Sequence, residues 1–251
     1  MNALLDQYLK RLKLSAVAKN YERAAREACA SKIGYDEYLC TLLELEVQAR
    51  DASRRKERVT RAKFPYLNTL DAFNFEELPS LDKQLVLDLF SGSYLKNLES
   101  IVLIGPHGIG KTHLAVALGV QACQDGKHVR FYTAGELVQQ LIEARDEREV
   151  LKLQGQLAKL DLLIVDELGM ADCNVDEAKL LFQTLNARYE RKSTIITTNL
   201  EFKDWTSVFC TKQLTSAVLD RLIHRCHIVS IEGESYRFKE SLKRKKNRSA
   251  A

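Results

Sequence analysis

Gly105-Pro106-His107-Gly108-Ile109-Gly110-Lys111-Thr112 follows the apolar run Ser100-Ile101-Val102-Leu103-Ile104 and precedes His113-Leu114-Ala115-Val116-Ala117-Leu118. Its spacing is G-x-x-x-x-G-K-T, that of a phosphate-binding loop. The glycines let the backbone curl tightly and bring its N–H groups onto phosphate oxygens without side-chain obstruction. Lys111 places a positive charge on the β/γ-phosphates, and the Thr112 hydroxyl is suited to ligating Mg²⁺. The preceding run reads as a buried strand. The following one reads as a helix whose positive N-terminal end also faces the phosphates. Strand, loop and helix in that order assign nucleotide binding to residues 105–112.

Two further strand ends carry chemistry. Leu162-Leu163-Ile164-Val165 is an apolar run closed by Asp166 and Glu167. Asp166 is placed to hold the Mg²⁺ that Thr112 also ligates, and Glu167 to orient and deprotonate an attacking water. Thr194-Ile195-Ile196-Thr197 reads as the next strand and runs into Thr198-Asn199. An asparagine at that tip can hold the water or the γ-phosphate by hydrogen bond.

The remaining elements alternate around these. Val129 to Thr133 reads as a strand, followed by a helix from about Gly135 to Arg145 and a charged helical stretch to Lys159. Asn174 with Glu177 has capping-box spacing and opens a helix to about Tyr189. Leu214 to Arg225 reads as a helix and His227 to Ile231 as a fifth strand. Strands alternating with helices predict an α/β fold, a parallel sheet covered on both faces. Upstream, residues 2–62 read as three amphipathic helices, with Gly34 breaking the run. The third runs into basic residues, so an apolar base carries a charged tip. Phe64-Pro65 ends it, since proline disfavours helical geometry in the residue before it. Residues 65–79 read as a connector that packs its aromatics onto the next domain, and Ser80 as the cap of a helix from Leu81 to about Phe90. The expected domains are a helical N-terminal domain at 1–64, an ATPase domain at 65–236 and a basic tail at 237–251, disordered in isolation.

At 251 residues, 45% of them apolar, the chain has the length of one large domain with a small appendage. No apolar run approaches ~20 residues, so no membrane span is expected. The N-terminus lacks the apolar core of a signal peptide, and a cytoplasmic protein is the reading. The six cysteines are scattered, without a C-x-x-C pair, and read as reduced thiols rather than a zinc site. Net charge is only +4, but its distribution is uneven. Residues 50–63 hold seven basic side chains (Arg50, Arg54, Arg55, Lys56, Arg58, Arg61, Lys63) against two acids. Residues 237–251 hold seven more against one acid, with Lys243, Arg244, Lys245, Lys246 and Arg248 close together. Two basic segments on an otherwise acidic chain are the pattern of a nucleic-acid contact.

The motifs Gly105–Ala115, Asp166-Glu167-Leu168-Gly169 and Thr197-Thr198-Asn199, in this order, resemble the AAA+ ATPases of the DnaC/IstB group. The helical N-terminus, Phe64-Pro65, Leu70-x-x-Phe73-x-Phe75, Leu219 to His227 and Gly233-Glu234-Ser235-Tyr236-Arg237 extend the likeness over nearly the whole chain. In that extent it is similar to the IstB-like helper ATPases encoded beside transposases in bacterial insertion sequences. Met170-Ala171-Asp172-Cys173 departs from the aromatic and proline expected there. The resemblance implies an AAA+ core behind a small all-helical domain, with ATP and Mg²⁺ as cofactors. It implies double-stranded DNA, a cognate transposase and further copies of the chain as partners, and ATP hydrolysis coupled to preparing or selecting target DNA.

The resemblance also implies an arginine reaching the neighbouring subunit's nucleotide. On the helix Leu214–Arg225 the apolar side is Leu214, Val218, Leu219, Leu222 and Ile223, and Arg221 and Arg225, four apart, share the other face. Arg221 is the better candidate for this finger and Arg225 the second. Arg237 reads equally as a second sensor or as the start of the tail. A helicase loader shares all the core motifs. A small-molecule kinase on a P-loop rarely needs Glu167 beside Asp166, the sensor asparagine or two basic segments. A nucleotide-free DNA-binding module is incompatible with any ATP binding.

Overall fold

The short apolar runs become strands and the amphipathic ones helices in the computed structural model, which describes residues 3–70, 73, 75, 81–170 and 173–233. Ser80, Arg237 and the basic residues 243–248 lie outside them. The chain forms two units, 1–57 and 58–251.

In the first unit, α1 (Ala3–Arg11), α2 (Ser15–Ser31) and the start of α3 (Tyr35–Ala62) surround a small core of Leu9, Val17, Ala24 and Leu42. Leu14, the N-cap of α2, has no side chain able to cap it. Glu46 of α3 does this instead: its buried carboxylate accepts from Ala16 N at 2.8 Å and Val17 N at 3.3 Å. Anions at a helix start are favoured by the exposed N–H groups and the dipole there. Arg50, one turn on, pairs with Glu46 through Nε at 2.9 Å and donates from Nη2 to Lys13 O at 2.9 Å.

The second unit holds α4 (Lys83–Phe90), α5 (Ser93–Lys96), β1 (Ser100–Ile104), α6 (Lys111–Gln124), β2 (Val129–Thr133), α7 (Ala134–Asp146), α8 (Val150–Lys159), β3 (Leu162–Asp166), α9 (Val175–Asn186), β4 (Ser193–Thr198), α10 (Thr206–Phe209), α11 (Lys212–His224) and β5 (Cys226–Ser230). The strands form one sheet in the order β2-β3-β4-β1-β5, and every pair is parallel. Strand side chains alternate between faces. Ile101, Leu103, Ile164 and Ile195 face one core with Leu114 and Leu118 of α6. Val102, Leu163, Val165 and Ile196 face the other, with Leu137 and Leu141 of α7, Leu181 of α9 and Trp205. Burial on both faces explains why these strands read as unbroken apolar runs. No helix among the described residues is long and apolar enough to cross a membrane.

The structure adjusts several expected boundaries. The 83–90 helix is capped by Asp82, whose side chain accepts from Leu85 N at 3.1 Å. The charged stretch to Lys159 is broken between α7 and α8, where Arg148 takes a left-handed backbone. Asn174 and Glu177 do form a capping box, but α9 ends at Asn186, before Tyr189. α11 runs from Lys212 to His224, capped by Thr211, so Arg225 lies past its end. Arg221 and Arg225 therefore do not share a helix face, and Ile223, expected on the buried side, is exposed. The short helices α5 and α10 add to the sequence reading.

Candidate nucleotide site

The phosphate-binding loop leaves the carboxyl end of β1, between β4 and β5, where the strand order departs from chain order and ligands of such sheets sit. Two glycines make its path. A Cβ on Gly105 would overlap the Ile231 carbonyl oxygen, and Gly110 holds φ +102° as the N-cap of α6. No side chain caps α6, so its first N–H groups face the loop. Pro106 and His107 are exposed, whereas Ile109 is buried in the core beneath the loop. Among loop residues Ile109 therefore anchors with its side chain and offers a ligand only its backbone. The Lys111 ammonium lies within the loop, donating to Gly105 O at 2.8 Å and Pro106 O at 2.7 Å.

Thr112 and Asp166, 54 residues apart in sequence, meet here: Thr112 Oγ1 is 3.0 Å and 3.1 Å from the two carboxylate oxygens. Asp166 is buried while Glu167, next in the chain, is exposed with a left-handed backbone at φ +58°. Burial pushes the Asp166 carboxyl above its ordinary range. The Thr197 and Thr112 hydroxyls and the Lys111 ammonium pull against that rise, and the Glu167 charge adds to it. A cation beside Asp166 would reverse the balance. Asn199 follows directly on β4, and a Cβ added to Gly169 would lie 2.5 Å from its Oδ1. The turn after Glu167 thus packs against the sensor candidate.

Two residues that stand in the sequence motifs without an assigned role belong to this site. Thr197, with no exposed surface, donates to the Asp166 carboxylate and accepts from the Glu167 backbone N–H; the Val165–Ile196 register places it beside Asp166. Phe73 roofs the loop, 3.3 Å from a Cβ built on Gly110 and edge-on to His113 at 5.4 Å between ring centres. Within the second unit Phe73 is part of the core on the α6 face and Phe75 packs against that core, with the two rings 5.0 Å apart.

The finger candidates lie elsewhere. Arg225 O accepts from Ser100 N, at the start of β1, whereas the phosphate-binding loop follows its end. A strand of that length separates them by roughly 15 Å, at about 3.3 Å per residue. Arg221 and Arg225 both line a groove at this opposite end of the strands, together with the buried Arg188. The Arg221 guanidinium sits 5.3 Å from the Phe182 ring centre and donates to Ala217 O at 3.3 Å. Phe182 escaped the sequence reading.

The basic residues of 50–63 are not equivalent. Arg50 is committed to Glu46 and Lys13, and Arg58 donates from Nε to Cys123 O at 2.9 Å. Arg54, Arg55, Lys56, Arg61 and Lys63 are exposed, as is Arg50, and Arg54 lies 3.9 Å from Asp51.

Residues 7–244 match the family described as IstB-like ATP binding protein. The chain belongs to the IstB-like family. It is 37% identical to the ATP-binding protein of insertion sequence IS21 from Pseudomonas aeruginosa, over 95% of this chain and 90% of that one. Among solved structures, AMPPCP-bound DnaA from Aquifex aeolicus is 24% identical with a TM-score of 0.58, over 72% of this chain and 56% of the other. The DnaC helicase loader is 24% identical with a TM-score of 0.50, over 59% and 87%. Both likenesses are of fold, the AAA+ fold expected from the motifs. The IstB-like family match takes in the N-terminal helices as well.

Proposed function

We propose that this chain is an ATP-hydrolysing helper of insertion-sequence transposition that assembles on double-stranded DNA and presents it to a transposase. The observation that carries the reading is the Thr112–Asp166 contact, with Glu167 exposed beside it. A hydroxyl and a buried carboxylate at 3.0 Å are a donor set suited to Mg²⁺, and Thr112 and Asp166 would hold it. Bound there, the ion would supply positive charge beside the phosphate oxygens.

The chain's own residues supply the rest. The loop N–H groups and Lys111 bind the phosphates, which requires the ammonium to exchange its carbonyl partners for phosphate oxygens. Glu167 orients the water and takes its proton. Asn199 holds the water or the γ-phosphate. Phe73 offers an aromatic face beside the loop. Arg221 or Arg225, at the strand ends opposite the loop, is badly placed for its own loop and is left to serve a neighbour's. That supports ATP sites completed between subunits, so that ATP binding drives assembly and hydrolysis drives release. The five exposed basic residues of 54–63 and the basic residues 243–248 are the proposed DNA contacts.

The DnaC-like fold favours one alternative, a replicative helicase loader. Phosphate release measured with and without duplex DNA, beside pull-downs with the cognate transposase and with a replicative helicase, separates the readings. DNA-stimulated hydrolysis with transposase capture is expected. Helicase capture alone would move the protein to the loaders, and transfer of phosphate to a small acceptor would make it a kinase.

A further inference from the structure

The Thr197 hydroxyl donates to Asp166 Oδ1 at 2.5 Å and accepts from the Glu167 N–H at 2.9 Å. It has no exposed surface, so water does not compete for either bond. The polarity is forced: a carboxylate only accepts and a backbone N–H only donates, while a hydroxyl does both. One side chain on β4 therefore holds two consecutive acids at the end of β3. Its hold on each is different. On Asp166 it occupies one carboxylate oxygen, which orients the group toward Thr112. On Glu167 it holds the backbone, at the point where φ turns to +58°. A left-handed backbone is unfavourable for a residue with a Cβ and persists only where its surroundings enforce it.

We propose that Thr197 is the positioning residue of this site, aiming Asp166 at Thr112 and fixing the backbone from which Glu167 reaches the water. The proposal rests on the reading of Asp166 as metal-holding and Glu167 as base. Valine at 197 would keep the shape and leave a buried carboxylate oxygen and the Glu167 N–H without this partner.

The test compares wild type, Thr197→Val, Thr197→Ser and Glu167→Gln as full-length proteins. Mn²⁺ binding in the presence of ADP is read by electron paramagnetic resonance, ADP binding without divalent cation by calorimetry, and kcat at saturating ATP and Mg²⁺. For Thr197→Val, Mn²⁺ affinity and kcat should each fall about 10–100-fold, the usual effect of losing the partner behind a metal ligand. Metal-free ADP affinity should stay near wild type, and Thr197→Ser should regain both losses. Should the valine protein not melt cooperatively, Thr197→Ala takes its place with the same expectations. Wild-type Mn²⁺ affinity and kcat in the valine protein overturn the proposal, as does a serine protein no better than the valine one. Normal turnover in Glu167→Gln sinks the underlying reading. A defect in Glu167→Gln with none in Thr197→Val sinks the proposal alone.

Discussion

Glu167 and Asp166 are neighbours with opposite surroundings, one exposed and one buried, and the difference separates their chemistry. The buried acid suits a fixed cation; the exposed one can meet water. Glu167→Gln keeps the side chain's size and removes the proposed base. Phosphate release should fall about 10²–10⁴-fold, the range that a positioned acid or base supplies. Nucleotide binding by calorimetry and assembly with ATP on DNA should persist. Unchanged turnover would remove Glu167 from the mechanism. Residues that act through a spacing were legible in the sequence: the phosphate-binding loop and the two acids each have a pattern. The roles of Thr197 and Phe73, which stand in quoted motifs, and of Phe182, which stands in none, were not legible, because they are set by partners on other elements. A threonine in a buried strand satisfies strand preference whether or not its hydroxyl has a task. Its signal is recoverable only through the β3–β4 register.

At the scale of elements, strand cores and helix types followed from periodicity, while ends depended on caps. The Asn174–Glu177 box is local in sequence and was legible; the cap of α2 is not, since Glu46 reaches it from 30 residues away. That cap has a pH signature. Burial raises the Glu46 carboxyl, but Arg50 and the Ala16 and Val17 N–H groups outweigh it, and the net shift is downward. A depressed carboxyl stabilises the fold above its unfolded pKa, roughly 4.3 for glutamate, and that stability is lost as pH falls through the folded value. Glu46→Gln should therefore lower the urea midpoint of the N-terminal helices at pH 7, with hydrogen exchange locating the loss to α2 and α3. The gap to wild type should close below the carboxylate range. A gap unchanged with pH would show that shape, not charge, makes the cap. α11 shows the reverse dependence: its end at His224, one residue earlier than read, takes Arg225 off the helix.

For the whole molecule, the arrangement that matters is the placing of Arg221 and the phosphate-binding loop toward opposite ends of the strands of one sheet. If Arg221 serves a neighbour, Arg221→Ala subunits should bind ATP normally and hydrolyse it slowly alone. Arginine fingers elsewhere contribute about 10³–10⁵ in rate. Mixing them with Lys111→Ala subunits should restore part of the phosphate release, since an intact loop then meets an intact arginine at interfaces of one polarity. Near-normal release from Arg221→Ala alone would shift the finger to Arg225 or off this end of the sheet, and no rescue on mixing would argue for a self-contained site. Donor and acceptor on different surfaces also make the contact head-to-tail, which closes into a ring or extends as an open helix. The two outcomes count differently. A ring completes as many sites as it has members, but an open row always ends in one loop that no arginine reaches and one arginine that faces no loop. In short rows those idle ends are a large fraction of the protein, in long ones a negligible one. Turnover per subunit would then climb with the length of DNA covered, making the enzyme a ruler of its own assembly.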